Sequence, residues 1–139
     1  MKVALIYAST TGNTEAMANA LCDAIKSSGA DLVFDTASNA DKNAVTACDV
    51  IFLGSPAMGA EELEESMETF YTAIEGSLGG KKVGIFGSYD WGDGQWLRDW
   101  KDRLSGAGAV MPVEPLMVHL VPGEAEIEQC KAWAASVLK

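Results

Sequence analysis

Val3-Ala4-Leu5-Ile6-Tyr7-Ala8-Ser9-Thr10-Thr11-Gly12-Asn13-Thr14 begins as an unbroken apolar run and ends in hydroxyl side chains gathered around one glycine. The run does not alternate with polar residues, so both of its faces meet apolar neighbours, as in a parallel strand covered by helices on either side. The segment that follows reads as helix. Met17, Leu21, Ala24 and Ile25 share one face, and Ser28-Gly29 is the stop.

Working outward, short apolar runs recur at Leu32-Val33-Phe34, Val50-Ile51-Phe52-Leu53, Val83-Gly84-Ile85-Phe86 and Leu116-Met117-Val118. Amphipathic stretches separate them. Leu63, Met67, Phe70 and Ile74 line one helix that stops at Gly76, and Leu97, Trp100 and Leu104 line another before Gly106. Ile127, Cys130, Ala134 and Val137 line the last, opened by Pro122-Gly123-Glu124, and a short helix is expected from Asp41 to Ala47. The Met and Trp members of these stripes read as core. Alternating strands and helices predict an α/β fold: a doubly wound, five-stranded parallel sheet forming a single domain over residues 1–139, with helices on both faces and right-handed crossovers. In such sheets ligands sit outside the carboxyl ends of the strands. The loops beginning at residues 8, 54 and 87 therefore carry the functional reading.

The chain of 139 residues is 48% apolar, enough for a core around a central sheet. Twenty acidic side chains against ten basic ones leave a net charge of −10, which argues against nucleic acid or an anionic membrane surface as partner. It favours transient, salt-sensitive encounter with basic faces of other proteins, although solubility alone would also account for it. Cys22, Cys48 and Cys130 form no CxxC pair and His119 is the single histidine, so neither a disulfide framework nor a metal site is expected. The cysteines read as small core residues. The apolar run after Met1-Lys2 is too short for a secretory signal, and no window reaches the ~18 apolar residues of a membrane span. A monomer in the reducing cytoplasm is the expectation.

The first loop, Ser9-Thr10-Thr11-Gly12-Asn13-Thr14, supplies hydroxyls and one amide where a helix opens. Unsatisfied N–H groups and the positive end of the helix dipole add to them, giving a phosphate nest built from neutral donors. It has no Lys and no GxGxxG spacing, so a terminal monophosphate suits it better than a nucleoside triphosphate or a dinucleotide. A Ser/Thr-rich helix cap is the plainer account. The second loop, Ser55-Pro56-Ala57-Met58-Gly59-Ala60-Glu61-Glu62, must cross the top of the sheet. Met58 suits the face of a flat aromatic ligand, and Gly59 allows its peptide to flip. Equally, this is a turn whose Glu61 and Glu62 favour the next helix dipole. The third loop, Ser88-Tyr89-Asp90-Trp91-Gly92-Asp93-Gly94-Gln95, holds two aromatics that belong to no strand or helical stripe, so a ring stacking on a planar ligand is implied, with a partner-binding hot spot as the competing account. Together the loops describe a phosphorylated planar heterocycle, and FMN is the candidate.

At these loops the sequence resembles the short-chain flavodoxins of anaerobic bacteria. The resemblance runs from Lys2 to the last helix and is carried by Ser9 to Ala18, by Pro56-Ala57-Met58-Gly59 with Glu61 to Glu64, and by Gly87-Ser88-Tyr89 with Trp91-Gly92. It implies strand order 2-1-3-4-5 and non-covalently bound FMN. Ser9, Thr11, Asn13 and Thr14, with backbone amides, would hold the phosphate, and Thr10 and Gly12 of the same loop would also belong to the site. Ser55, Pro56, Ala57, Ser88, Tyr89, Asp90, Gly92 and Asp93 would line the site, with Met58 and Trp91 on opposite faces of the isoalloxazine. Glu61 would accept from flavin N3–H, and the Gly59 carbonyl would turn toward N5 in the one-electron semiquinone. The implied function is low-potential one-electron transfer, cycling between semiquinone and hydroquinone in place of ferredoxin, and not substrate turnover. Two positions depart from the family pattern. Ala8 stands where relatives often have Trp, and Asp90 where this subgroup usually has Gly, a position that would strain Asp90 if its backbone needed φ > 0. The charge of Asp90, with Glu61 and Asp93, would disfavour the anionic hydroquinone, one charge at ~8 Å being worth about 2 kcal/mol before screening.

A flavin or quinone reductase on the same fold is the competing enzyme reading, but the three loops show no triad, metal cluster or acid/base pair. A phospho-receiver domain needs an acidic pair after the first strand and an Asp ending the third. Ala8-Ser9 and Gly54-Ser55 occupy those places.

Overall fold

The first strand, β1 (Lys2–Tyr7), is buried from Val3 onward, and alternate side chains feed two separate cores. In this computed structural model, which describes residues 1–59 and 61–139, Val3, Leu5 and Tyr7 pack with Met17, Leu21 and Ile25 of α1 (Asn13–Ser27) and with Cys130, Ala134 and Val137 of α5 (Glu124–Leu138). Ala4 and Ile6 point the other way, toward Met67, Phe70 and Ile74 of α3 (Glu65–Ile74) and Trp96, Trp100 and Leu104 of α4 (Gln95–Gly106). A strand sandwiched in this way needs apolar residues at every position, which is why its sequence does not alternate.

Four further strands complete the sheet: β2 (Asp31–Thr36), β3 (Val50–Gly54), β4 (Lys82–Tyr89) and β5 (Leu116–His119). The order is β2-β1-β3-β4-β5 and every pair is parallel, as expected from the sequence and the resemblance. The edge strands show their place in their burial. β5 alternates buried and exposed residues, and β2 is at most half-buried. The short helix α2 (Lys42–Thr46) begins where the Asp41 carboxylate accepts from the N–H groups of Asn43 at 2.9 Å and Ala44 at 3.3 Å.

Two boundaries differ from the sequence reading. Leu63 is outside α3, because the Glu64 carboxylate caps that helix by accepting from Ser66 N–H at 3.0 Å; Leu63 instead packs against the core from the preceding loop. β4 does not stop at Phe86. Gly87, Ser88 and Tyr89 pair with Met117, Val118 and His119 of β5, so Ser88 and Tyr89 are strand residues and not loop residues. Gly87 is expected from the sequence to open the third loop, but it lies in β4, where a Cβ would collide with the Ser55 carbonyl, so close strand approach is what requires glycine. Among the described residues no helix is long and apolar enough to cross a membrane.

Candidate functional site

β1, β3 and β4 are neighbours, so the segments at their carboxyl ends meet on one side of the sheet. Backbone bonds carry the pairing past the strand ends: Ala8 N–H donates to Gly54 O at 2.9 Å, Ser55 N–H to Phe86 O at 3.1 Å and Ala57 N–H to Ser88 O at 3.0 Å. The three loops therefore start from a single rigid platform.

The hydroxyl loop turns into α1 through Gly12, whose φ of 92° is left-handed. Ser9 Oγ accepts from the N–H groups of Gly12 and Glu15, each at 3.2 Å. Among the described residues no protein acceptor meets the N–H groups of Thr10, Thr11, Asn13 and Thr14. Thr10 and Thr11 are exposed, whereas Thr14 is buried and its Oγ1 lies 2.6 Å from Ser88 Oγ. The one carboxylate in the first turn of α1, Glu15, accepts from the Tyr7 hydroxyl at 3.1 Å, which helps push the phenol pKa up, after burial. A loop of free N–H groups and neutral hydroxyls at the positive end of a 15-residue helix is what an anion requires.

The second loop is a tight reversal. Met58 and Glu62 exchange both backbone bonds at 2.8 Å, and Gly59 and Glu61 both have positive φ, 50° and 58°. Ala60, also in this expected loop, lies outside the described residues. Glu61 tolerates its left-handed backbone because its side chain is used elsewhere: Oε1 accepts from Gly94 N–H at 3.1 Å and Gln95 N–H at 2.9 Å, capping α4 from 33–34 residues away. Glu61 thus favours a helix dipole, but that of α4 and not of the adjacent α3. Below it, Ser55 is fully buried. Its Oγ accepts from Glu64 N–H at 2.9 Å and donates to Pro56 O at 3.0 Å, and its carbonyl accepts from Trp96 Nε1 at 3.1 Å.

The third loop runs from Asp90 to Gly94, between β4 and α4. Trp91 is 61% exposed and Met58 37%, so neither side chain is used by the core. Tyr89, by contrast, is half-buried against Trp96 and His119, so its ring has a structural explanation that the sequence reading lacked. Asp90 does not take a left-handed backbone; the positive φ values in this loop belong to Gly92 and Gly94, at 89° and 96°, so the anticipated strain at Asp90 is absent. Gly92 suits its left-handed φ of 89°, which side chains rarely adopt, and a Cβ there would also displace the Glu61 carboxylate. Asp93 pairs with Arg98 at 2.8 Å, so its charge is partly compensated and counts for less than that of Asp90.

The expected residues Ser9 to Thr14, Ser55 to Glu61 and Ser88 to Asp93, Ala60 aside, do converge. Sequence reasoning missed the residues that hold them: Glu64, Trp96, His119 and Leu120. Of these only Glu64 left a signal, an acid just ahead of an amphipathic stretch.

The Flavodoxin family model matches residues 5–133. The chain is 44% identical to the flavodoxin of Megasphaera elsdenii over 99% of its own length and 98% of the relative's, and 44% identical to that of Clostridium beijerinckii over 88% and 89%. This chain belongs to the flavodoxin family. The solution structure of two-electron reduced Megasphaera elsdenii flavodoxin superposes with a TM-score of 0.86 at 43% identity, covering 97% of both chains. A rubredoxin:oxygen oxidoreductase from Desulfovibrio gigas reaches a TM-score of 0.89 at 26% identity, but this chain covers only 35% of it. As a flavodoxin the chain is an FMN-binding electron carrier that passes electrons to redox enzymes and is not itself an enzyme. The residues fit that cofactor. Neutral donors and free N–H groups suit a phosphate monoester, and two apolar side chains unused by the core suit a flat ring.

Proposed function

We propose that this flavodoxin is a low-potential one-electron carrier that cycles its FMN between semiquinone and hydroquinone and takes the place of ferredoxin toward redox enzymes. The observation that carries the residue assignment is the nest at α1, where the N–H groups of Thr10, Thr11, Asn13 and Thr14 lack protein acceptors among the described residues. Ser9, Thr10, Thr11, Gly12, Asn13 and Thr14 hold the phosphate. Ser55, Pro56, Ala57, Ser88, Tyr89, Asp90, Gly92 and Asp93 form the wall and floor, and Met58 and Trp91 cover the two faces of the ring. Glu61 spends Oε1 on α4, and Oε2 accepts from flavin N3–H. Gly59 supplies the carbonyl that turns toward N5.

Residues 1–139 act as one FMN-binding unit, monomeric and cytoplasmic, and meet their partners in transient complexes. The net charge of −10 supports basic docking faces on those partners and no contact with nucleic acid or membrane.

Reductive titration of the purified protein, followed by visible absorbance, tests this reading. A yellow protein that passes through a blue neutral radical is the expected result. A colourless protein that takes up no added FMN, or one whose flavin bleaches rapidly with NAD(P)H alone, would overturn it.

A further inference from the structure

The single histidine sits where β5 ends, beside the loop that carries Trp91. Its Nε2 lies 2.8 Å from Asp90 O. A carbonyl oxygen can only accept, so Nε2 carries the proton and donates; both the neutral Nε2–H tautomer and the imidazolium can do this. The next residue acts on the preceding carbonyl: Leu120 N–H donates to Tyr89 O at 2.8 Å, from a left-handed backbone with φ 60°. That conformation is costly for a residue with a branched side chain and persists only where its surroundings impose it. The His119 ring also lies against Tyr89, with centroids 4.9 Å apart.

Consecutive carbonyls, Tyr89 O and Asp90 O, are thus held by two consecutive residues, Leu120 just past the end of β5 and His119 at that end. Four residues on, the Glu61 carboxylate fastens the other end of the loop through Gly94 and Gln95. Trp91 stands between these two anchors and is 61% exposed, so its own packing does not fix it. We infer that His119 is a positioning residue for the flavin site: its Nε2–H sets the backbone from which Trp91 presents its ring to the cofactor. The inference rests on the FMN reading above.

The test compares His119→Gln, His119→Asn and His119→Phe. A Gln amide nitrogen reaches about as far as Nε2 and keeps the donor. Asn places its amide near Nδ1 and cannot reach, and Phe has no donor. FMN affinity is measured by quenching of flavin fluorescence as apoprotein is added, and the ring's setting by the visible circular dichroism of the bound flavin. His119→Gln is expected to match the wild type within about twofold, while His119→Asn and His119→Phe bind roughly three- to tenfold more weakly, as one net hydrogen bond implies, with an altered flavin dichroism. If His119→Phe does not fold, the Gln and Asn variants decide. Wild-type affinity and dichroism in all three variants, or an equal loss in Gln and Asn, would overturn the inference while leaving the FMN reading intact. Wild-type apoprotein that binds no FMN would instead remove that reading, and the inference with it.

Discussion

Thr14 Oγ1 and Ser88 Oγ lie 2.6 Å apart in the buried interior and join the start of α1 to the end of β4, 74 residues away. Both side chains are almost inaccessible, at 1% and 4% exposure, so each hydroxyl relies on the other. The bond fixes the hydroxyl loop against the strand that leads to Trp91, before any ligand is considered.

Removing one partner strands the other. Thr14→Val keeps the shape of the side chain but leaves Ser88 Oγ without its mate, and should destabilise the apoprotein by about 1–2 kcal/mol. Combining it with Ser88→Ala should cost less than the sum of the two single changes. Urea unfolding of the three variants checks this, and strict additivity would exclude the pairing.

Glu61 combines a left-handed backbone with a distant helix cap, and the two roles separate by substitution. Glu61→Gln keeps an acceptor for Gly94 and Gln95 and should change apoprotein stability little. Glu61→Ala loses the cap and should cost about 1 kcal/mol. Glu61→Gly also loses it but relieves the backbone at φ 58°, and should be more stable than the Ala variant by about 1 kcal/mol. Urea midpoints measured in parallel give the ranking.

The acids of the third loop are not equivalent. Asp93 is paired with Arg98, whereas Asp90 has no ion-pair partner among the described residues. Asp90→Gly should therefore raise the potential of the semiquinone–hydroquinone couple, and Asp93→Asn should move it less. Spectroelectrochemistry at low ionic strength resolves the difference, because salt screens both.

Acid stability should depend on the pair that ties α4 to α3. Arg103 binds Glu68 in a fork, at 2.7 and 2.8 Å, and this holds the Glu68 carboxyl below its ordinary value of 4.5. A depressed carboxylate stabilises the fold above its unfolded value and loses that contribution as the pH falls through the folded one. The stability gap between wild type and Glu68→Gln should therefore be constant near neutrality and close below pH 4.5. Denaturant midpoints from pH 3 to pH 7, on the order of six points, test this.

Alkaline stability should follow Tyr71. Burial, with the Glu75 carboxylate beside it, raises the phenol well above 10, so the folded state resists ionisation and loses stability as the pH climbs past that value. Among the described residues its hydroxyl meets no partner at hydrogen-bonding geometry. Tyr71→Phe should hold or raise stability at pH 7, within about 0.5 kcal/mol, and delay alkaline unfolding followed by circular dichroism.

The parts of this molecule that were legible in the sequence share one property: their signal is local. A strand covered on both faces announces itself by an apolar run such as Val3 to Tyr7, and a helix by spacing such as that of Leu97, Trp100 and Leu104. The hydroxyl loop was legible because its donors are consecutive. What stayed hidden is made by residues far apart in the chain. Gly87 reads as the start of a loop until the Ser55 carbonyl lies against it, Tyr89 as a free ring until His119 and Trp96 enclose it. Glu61 caps a helix 33–34 residues away, which no window of local sequence contains. Whether Asp90 needed a left-handed backbone could not be read without the structure, which places those positions on Gly92 and Gly94.

The cap that Glu61 places on α4 has a consequence for speed. An electron arriving at a redox centre waits for the surroundings to rearrange, and loose surroundings make that rearrangement large. Here the segments bearing Met58 and Trp91 are lashed together through one carboxylate and two amides, all of them protein groups already in place. Apart from the Gly59 peptide, little of these two segments would then be left to shift when the charge changes, which would keep the barrier to each exchange low.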